Sequence, residues 1–433
     1  MGRLLSKDFL MRFSILLGGS IVSFWLLLII VYSIPIDLIE NNVSESLAAI
    51  QEETWYPTSY LQGTIIDNFT VAIMLNEAVY DVSNPITDSL LNYYGRTDSQ
   101  DPIEWLAGLL NGQSHDAISY GRYWNGYLVL LKPLMTLFNI YEIRSLLQTI
   151  FILSYLAFAV MSFSKMRRFG IAVVAISAIS LAPFGAFDAV EVLPFSFSFI
   201  IAMIGMTAML RSKLDSRTIA IAFFILGAAT VYLDFLDNPI LTWGMPLIVL
   251  LSRSYFEEHD IWTFLRVAGI SVLFWIIGYG GIWLSKWILA TLVTGTNVIG
   301  DAAAAVSFRI SSIDSVYYSP LEAIKANMLH LHGYYKIVLL LLAISSILCI
   351  VALIANRRKL CFCMVVIIAV SVTPIVWYAV LANHSYIHQG FTYRNLIITF
   401  FSLGTAICIF CYSCRKYLQI LYEKIATIKQ SCK

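Results

Sequence analysis

The stretch YGRYWNGYLVLLKPLMTLFNI, residues 120–140, decides how the rest of this chain is arranged. The chain has 433 residues, of which 59% are hydrophobic and 13% charged, and its mean hydropathy of +0.77 excludes a soluble protein. A net charge of +1 gives no support to nucleic-acid binding. Residues 120–140 are apolar enough to cross a bilayer, and counting them as a span moves every later segment to the opposite side of the membrane.

Around this stretch, ten runs approach the length of about 20 apolar residues that one helical span needs. They lie at 10–33, 145–164, 169–187, 190–210, 218–236, 239–252, 262–292, 335–356, 360–382 and 394–413. The run at 239–252 has only 14 residues and depends on bilayer thinning or on its flanking turn to span. We interpret the first run as a retained helix, because it is too long for a signal peptide and YSIPID lacks the small residues of a cleavage site.

The basic residues decide between ten and eleven spans, because Lys and Arg concentrate in cytoplasmic loops. With ten spans and a cytoplasmic N-terminus, 19 of the 28 basic and six of the 27 acidic residues lie inside, giving +13 against −12 outside. Counting 120–140 as a span leaves nine basic residues inside and 19 outside. We therefore predict an interfacial or re-entrant helix at 120–140, with Trp124 and the neighbouring tyrosines at the headgroup level.

The predicted fold is an all-α polytopic membrane protein with about ten transmembrane helices and both termini in the cytoplasm. Its parts are a tail and first helix (1–33), a large first outer loop with surface or re-entrant helices (34–144), transmembrane helices 2–7 (145–292), a second long outer loop (293–334), helices 8–10 (335–413) and a basic cytoplasmic tail (414–433). In the first outer loop, VSESLAAIQEE, DNFTVAIMLNEAVYD and PIEWLAGLLN predict helices. The short basic loops and the cysteine-free outer loops favour a bacterial plasma membrane.

Motifs of soluble enzymes, such as a P-loop, G-x-S-x-G or H-E-x-x-H, are missing from the sequence. Ionisable residues at the outer ends of the helices are then the functional candidates, because charge at the edge of hydrocarbon is costly. In SIPIDLIENN, Asp37 and Glu40 would share one helical face, where repulsion raises the pKa of one, as a general base needs. A solvated acidic cap at a helix start explains the same pair equally well.

Three further carboxylates are catalytic candidates. Asp67 in GTIIDNFTVAIML fits the N-cap of the following helix as well as catalysis. Asp234 and Asp237 in YLDFLDNP lie in an apolar stretch, where a buried carboxylate needs a cation, a metal or a sugar hydroxyl as its partner. Asp188 and Glu191 form a weaker version of this pair. No cofactor is certain, although Asp234 and Asp237 could hold a divalent metal.

The outer side carries few cations, and four of them are candidates for binding the phosphate of a lipid carrier. Arg122, Arg309 and Arg394 suit a phosphate because the guanidinium fork matches its oxygens and stays charged. Lys286 is a weaker candidate, since snorkelling to lipid headgroups explains it as well. Four histidines could also contact the phosphate or be polar loop residues: His330, His332, His384 and His388.

The order of features over roughly the first 170 residues resembles the GT-C membrane glycosyltransferases. That family has a carboxylate just beyond the first helix, then an outer loop with an aromatic surface helix, a short turn with an Arg, and a span that ends in a basic cluster. The matching residues here are Tyr123 and Trp124, then Arg144, then Lys165, Arg167 and Arg168. The Lys-Pro-Pro element found before the surface helix in that family is absent, and Lys132 and Pro133 lie inside the helix instead.

The resemblance implies an enzyme that takes a sugar from a polyprenyl-phosphate carrier on the outer face and transfers it to an acceptor hydroxyl of a cell-surface glycan. Asp37 matches the first-loop carboxylate of the family by position, with Glu40 close behind. The expected partners are the lipid-linked sugar donor, the glycan acceptor and membrane lipids. A carboxylate would act as general base, and arginines would stabilise the departing phosphate.

Other function classes stay open. A polysaccharide polymerase or ligase would use the same lipid-linked substrate and the same outer loops. A secondary transporter would place ionisable groups near the bilayer midplane on broken helices, whereas the acidic residues here cluster at or beyond the outer helix ends. A non-catalytic assembly protein is the third alternative.

Overall fold

A computed structural model describes residues 4, 6–58, 65–187, 193–234, 236–310, 317–331 and 333–431. Asp188, Glu191 and His332 lie outside the described residues. Helices dominate the described chain, as predicted for an all-α protein. The exception is a short antiparallel pair, β1 (Tyr93–Arg96) and β2 (Asp116–Ser119), in the segment 34–144, for which we keep the name of the predicted topology, the first outer loop.

Seven helical segments of the described chain are long and apolar enough to cross a membrane. They are Lys7–Tyr32, Ile140–Phe184, Ser216–Leu233, Ile261–Thr294, Tyr335–Ile354, Arg358–Val380 and Gln389–Arg415. The first is α1 (Lys7–Tyr32), which is exposed on most of its surface, as a helix facing lipid would be. The predicted membrane class is therefore confirmed by helix length and composition.

The segment 140–184 contains a sharp reversal. Its main part, α7 (Ile140–Leu181), departs from helical geometry at Arg167, whose φ is 50°. The Tyr155 hydroxyl donates to the Val174 carbonyl at 2.9 Å. Nineteen residues of straight helix would separate these groups by about 28 Å, so the chain must turn back on itself. The two arms correspond to the predicted runs 145–164 and 169–187.

The first outer loop folds into short helices. They are α2 (Glu40–Glu53), α3 (Asn68–Val79), α4 (Pro85–Leu91), α5 (Pro102–Leu110) and α6 (Leu128–Met135). Helices α2, α3 and α5 confirm the three predicted from the sequence. Helix α6 has eight residues, too few to span a bilayer. Trp124 is fully buried and donates to the Ile282 carbonyl at 2.9 Å, so its ring contacts protein and not solvent or lipid.

The central helices follow, and several are buried on nearly all sides. They are α8 (Leu193–Arg211), α9 (Ser216–Leu233), α10 (Leu241–Phe256), α11 (Ile261–Ile276) and α12 (Ile282–Thr294). A π-helical turn, Ile277–Gly281, joins α11 to α12 without breaking the helix. Helix α10 has only 16 residues, and most of them are buried, which marks it as a core helix.

The C-terminal part continues with α13 (Val298–Ile310), α14 (Pro320–Leu329), α15 (Tyr335–Ile354), α16 (Arg358–Ser371) and α17 (Thr373–Val380). Two short helices, α18 (Ala382–Ile387) and α19 (Gln389–Thr392), then lead into α20 (Ile397–Ser431). The loops between α9 and α10 and between α17 and α20 meet, because the Asn395 side chain donates to the Asp237 carbonyl at 3.1 Å. This meeting point positions the candidate site.

Candidate functional site

Asp234 and Asp237 both lie in the turn after α9, but their carboxylates have different surroundings. Asp234 caps the end of α9, and its two carboxylate oxygens accept hydrogen bonds from Ser198 Oγ at 2.7 Å and from the Leu236 amide at 3.0 Å. Those bonds hold the turn in place. The carboxylate of Asp237, by contrast, makes no hydrogen bond to the described residues, although the side chain is only 6% exposed.

Asp237 lies among charged groups that come from distant parts of the chain. Burial raises its pKa well above the ordinary value, and the nearby carboxylates of Asp234 and Asp67 raise it further. Arg394 and Arg309 oppose this shift of the pKa. We call these five residues, three carboxylates and two arginines, the Asp237 cluster.

Asp67 enters the Asp237 cluster from the first outer loop. It is the N-cap of α3 and accepts from the Thr70 amide at 2.9 Å and from its hydroxyl at 2.7 Å, so the predicted capping role is confirmed. Only 4% of its surface is exposed, and burial raises the pKa of Asp67 to about 6. The Tyr56 hydroxyl is close enough to Asp67 and Asp237 to be influenced by both charges.

The two arginines of the Asp237 cluster are held by their own neighbours. Arg394 is fully buried, donates to the Gly390 carbonyl at 3.1 Å, and has its guanidinium 4.9 Å from the Tyr393 ring centre. Arg309, in the last turn of α13, donates to the Ala305 carbonyl at 2.9 Å and to the Tyr123 hydroxyl. Its Nε is buried and has no hydrogen-bond partner among the described residues.

Two buried amides accompany Asp237. Asn238 is fully buried, and neither polar atom of its side chain has a hydrogen-bond partner in the described part of the chain. Asn395 uses its Nδ2 on the Asp237 carbonyl but leaves its buried Oδ1 without a partner there. Since an unsatisfied buried polar group costs about 1–3 kcal/mol, both amides favour the binding of water or of a polar ligand at this position.

Two of the predicted histidines border the cluster. His384 and His388 have their ring centres 4.7 Å apart, and His384 Nε2 lies 3.3 Å from the Leu236 carbonyl. Burial lowers the pKa of His388 to about 4, and the positive charge of Arg309 lowers it further. His384 has its pKa lowered well below the ordinary value, by burial first and then by His388 and Arg309. Both rings are therefore neutral at pH 7. His330 lies further along, with its ring centre 4.5 Å from that of Tyr393.

The other predicted site residues lie elsewhere. Asp37 is in a 3-10 turn (Ile36–Leu38) and Glu40 opens α2, and both are exposed, outside the Asp237 cluster. Arg122 pairs with Asp301 at 3.2 Å and stacks over the Tyr120 ring at 4.6 Å. Aromatic residues lie between Arg122 and the Asp237 cluster.

Lys286 does not snorkel to the headgroups. It is fully buried and donates to Asn92 Oδ1 at 2.9 Å and to the Ser89 carbonyl at 3.2 Å. Close to it lies Glu77 of α3, which accepts from the Tyr127 hydroxyl and, at 3.1 Å, from Asn125 Nδ2. This network ties the first outer loop to α12.

Sequence reasoning missed Glu77. Its only signal was an acidic residue inside the apolar segment DNFTVAIMLNEAVYD. Burial raises the pKa of Glu77 to about 8, which favours the protonated form more than in an exposed glutamate. Because its polar atoms have partners within the protein, we assign it to the packing of the loop and not to the site.

Among the described residues, no group of three His, Cys, Asp or Glu side chains is arranged to hold a metal ion. Comparison with protein-family models, with curated proteins and with solved structures yields no match. The resemblance to the GT-C glycosyltransferases therefore rests on the sequence pattern alone. The function has to be inferred from the geometry of the Asp237 cluster.

Proposed function

We propose that this chain is a membrane glycosyltransferase of the GT-C type, which moves a sugar from a polyprenyl-phosphate carrier to a hydroxyl of a cell-surface glycan on the outer face. The observation that carries the proposal is that the buried Asp237 lies within electrostatic range of Arg309 and Arg394. A carboxylate and two cations in one buried place supply the two functions that the reaction needs, a base for the acceptor and a positive site for the phosphate.

The proposed reaction is a single displacement. The acceptor oxygen attacks the anomeric carbon and forms the new glycosidic bond, while Asp237 takes the hydroxyl proton. The bond between the anomeric carbon and the phosphate oxygen breaks, and its electron pair leaves with the phosphate. Arg309 and Arg394 stabilise the charge that develops there, a contribution of about 3 kcal/mol for a well-placed donor. Arg394 and Arg309 lower the pKa of Asp237 and so favour the ionised form that a base needs.

Asp234 and the two buried amides near Asp237 have supporting roles in this proposal. Asp234, whose oxygens are bonded to protein donors, positions the turn. The Asn238 and Asn395 amides would bind sugar hydroxyls, since both carry buried polar atoms without partners in the described chain. A divalent ion between Asp234 and Asp237 stays a prediction, and the displacement as written proceeds without one.

The proposal includes a topology of ten spans with both termini in the cytoplasm of a bacterial cell and the Asp237 cluster outside. Support comes from the helices themselves. The seven apolar segments include 140–184 once, although it has two antiparallel arms. Helix α8 is a shorter apolar helix, and α10 is a buried helix of 16 residues in the same bundle. Counting the arms separately and adding these two helices gives ten.

The test compares two carboxylates in a host strain that lacks the chromosomal gene. We expect Asp237→Asn to lower transfer to the surface glycan by about 10²- to 10⁴-fold, as measured by mass spectrometry of the glycan. The matched variant Asp37→Asn should retain transfer, because Asp37 is exposed and outside the cluster. Both proteins must reach the membrane in equal amounts.

The opposite pattern, loss with Asp37→Asn and activity with Asp237→Asn, would move the base to the position that the GT-C resemblance implies. Unchanged glycan composition with both variants would overturn the catalytic role of either. A change in polymer length with unchanged sugar composition would favour the polymerase or ligase alternative.

A further inference from the structure

A cleft of about 1300 Å³ opens at the end of the molecule opposite the Asp237 cluster. The turn of the α7 hairpin, the end of α10 and the middle of α20 enclose it, and the proposed topology places it at the cytoplasmic surface. Four cations and no acidic residue are among its described lining residues. The cations are Lys165, Arg167, Arg168 and Arg415. We call this feature the basic cleft.

The floor of the basic cleft is aromatic. The ring of Phe169 stacks on Phe256 with centres 6.0 Å apart and lies 4.9 Å from Tyr412. Phe163, on the rim, is 56% exposed, as expected for a side chain on a helix that faces lipid. The cleft therefore combines an apolar floor, open towards the bilayer, with a cationic rim.

The charges of the basic cleft are not compensated by the described residues. Three other arginines on the same side have acidic partners: Arg12 pairs with Asp8 at 2.8 Å, Arg217 with Asp8 at 3.5 Å, and Arg253 with Glu257 at 2.7 Å. None of the four cleft cations forms an ion pair within the described chain. Like charges gathered in one cleft repel one another, so an anion that enters it is bound favourably.

We propose that the basic cleft binds the phosphate of an anionic phospholipid from the cytoplasmic leaflet. The rim cations would contact the phosphate oxygens, and the acyl chains would lie along Phe163 and the aromatic floor. Arginine suits this contact because its planar fork bonds two oxygens at once. A small soluble anion would use the rim but gain nothing from the floor, which is the reason for preferring a lipid. This site is separate from the Asp237 cluster and does not depend on sugar transfer.

The experiment titrates the purified full-length protein, in a neutral detergent, with short-chain phosphatidylglycerol. The variant Arg168→Gln/Arg415→Gln removes two rim cations that are exposed, and it keeps Arg167, whose positive φ shapes the turn. Since each basic residue contributes about 1 kcal/mol to binding of an anionic lipid, we expect an affinity about 30-fold lower. The control Lys213→Gln/Arg358→Gln removes two exposed cations outside the cleft and should bind as the wild type does.

Equal loss of affinity in both double variants would overturn the proposal, because it would reduce the cleft to general basic surface. Glycerol phosphate binding as tightly as phosphatidylglycerol would also overturn it, in favour of a soluble anion. The thermal unfolding midpoint without lipid checks that each variant is folded. If the double variant is not folded, Arg415→Gln alone takes its place, with an expected loss of about fivefold.

Discussion

Asn238 is fully buried, and both polar atoms of its side chain lack hydrogen-bond partners in the described chain. An ordinary buried amide stabilises the fold through its hydrogen bonds, whereas Asn238 without a ligand destabilises it. Replacement by an apolar group of similar size removes an unsatisfied amide. We expect Asn238→Leu to raise the free energy of unfolding by about 1–3 kcal/mol and to lower sugar transfer, because the amide is kept for the ligand. Thermal unfolding in detergent and glycan analysis measure the two effects.

Asn383 provides the matched control for this experiment. It is also fully buried, but its Oδ1 accepts from the Tyr318 amide at 2.8 Å and its Nδ2 donates to the Phe308 carbonyl at 2.8 Å. Asn383→Leu removes both hydrogen bonds to the backbone and places no partner there, so it should lower the free energy of unfolding. Destabilisation of similar size in both variants would show that Asn238 has an ordinary structural role.

The sequence predicted all five charged residues of the Asp237 cluster as site candidates, because a charge at the edge of hydrocarbon is costly. It did not predict which of them meet. Asp67 and Asp237 are separated by well over a hundred residues and are brought together by the packing of α3 against the bundle. Asn238 gave no signal because an uncharged amide in a turn has many ordinary explanations.

At the scale of elements, one close crossing depends on glycine. A Cβ on Gly278, in the π-helical turn, would lie 2.2 Å from the Phe224 carbonyl oxygen of α9, which is backbone and cannot rotate away. Gly227 faces the same crossing, 2.4 Å from the Trp275 carbonyl oxygen. Small residues of this kind let two helix backbones approach within a bilayer. The structure therefore assigns Gly278 to the packing of the two helices.

We expect Gly278→Ala to lower the free energy of unfolding by about 1–3 kcal/mol, since overpacking forces the backbones apart. Gly280→Ala is the matched control, because it lies two residues away and its Cβ would meet no atom within 4 Å. Both changes gain the same helix propensity, so the difference between their thermal midpoints isolates the contact with α9. Equal midpoints would mean that the helices separate without cost.

The number of spanning elements was harder to read from sequence than their apolar character. The run at 239–252 was the weakest span predicted, and it forms α10, a buried core helix whose hydrophobicity reflects protein contacts as much as lipid. The runs at 145–164 and 169–187 were separated correctly because SKMRRFG interrupts the apolar pattern between them. The β1–β2 pair was missed, since strands of four residues carry too little alternation to stand out.

At the scale of the whole molecule, the near-zero net charge conceals a separation of charge between the two ends of the helices in the ten-span topology that we propose. The Asp237 cluster lies at the end that is poor in basic residues, and the basic cleft lies at the end that is rich in them. If the positive-inside rule orients this chain, the two sites face opposite aqueous compartments. The cysteines offer a direct test, because none of the seven lies in either long outer loop.

An impermeant maleimide should therefore leave the wild type unlabelled in intact cells, although Cys411 and Cys414 are exposed in the fold. Gln100→Cys, at an exposed turn of the first outer loop, should react in intact cells, and Lys213→Cys should react only after permeabilisation. Labelling of Lys213→Cys in intact cells, with Gln100→Cys protected, would invert the orientation. The Asp237 cluster would then face the cytoplasm, where a soluble sugar nucleotide could replace the lipid-linked donor. The labelling experiment therefore determines which of the two sugar donors the cluster has to bind.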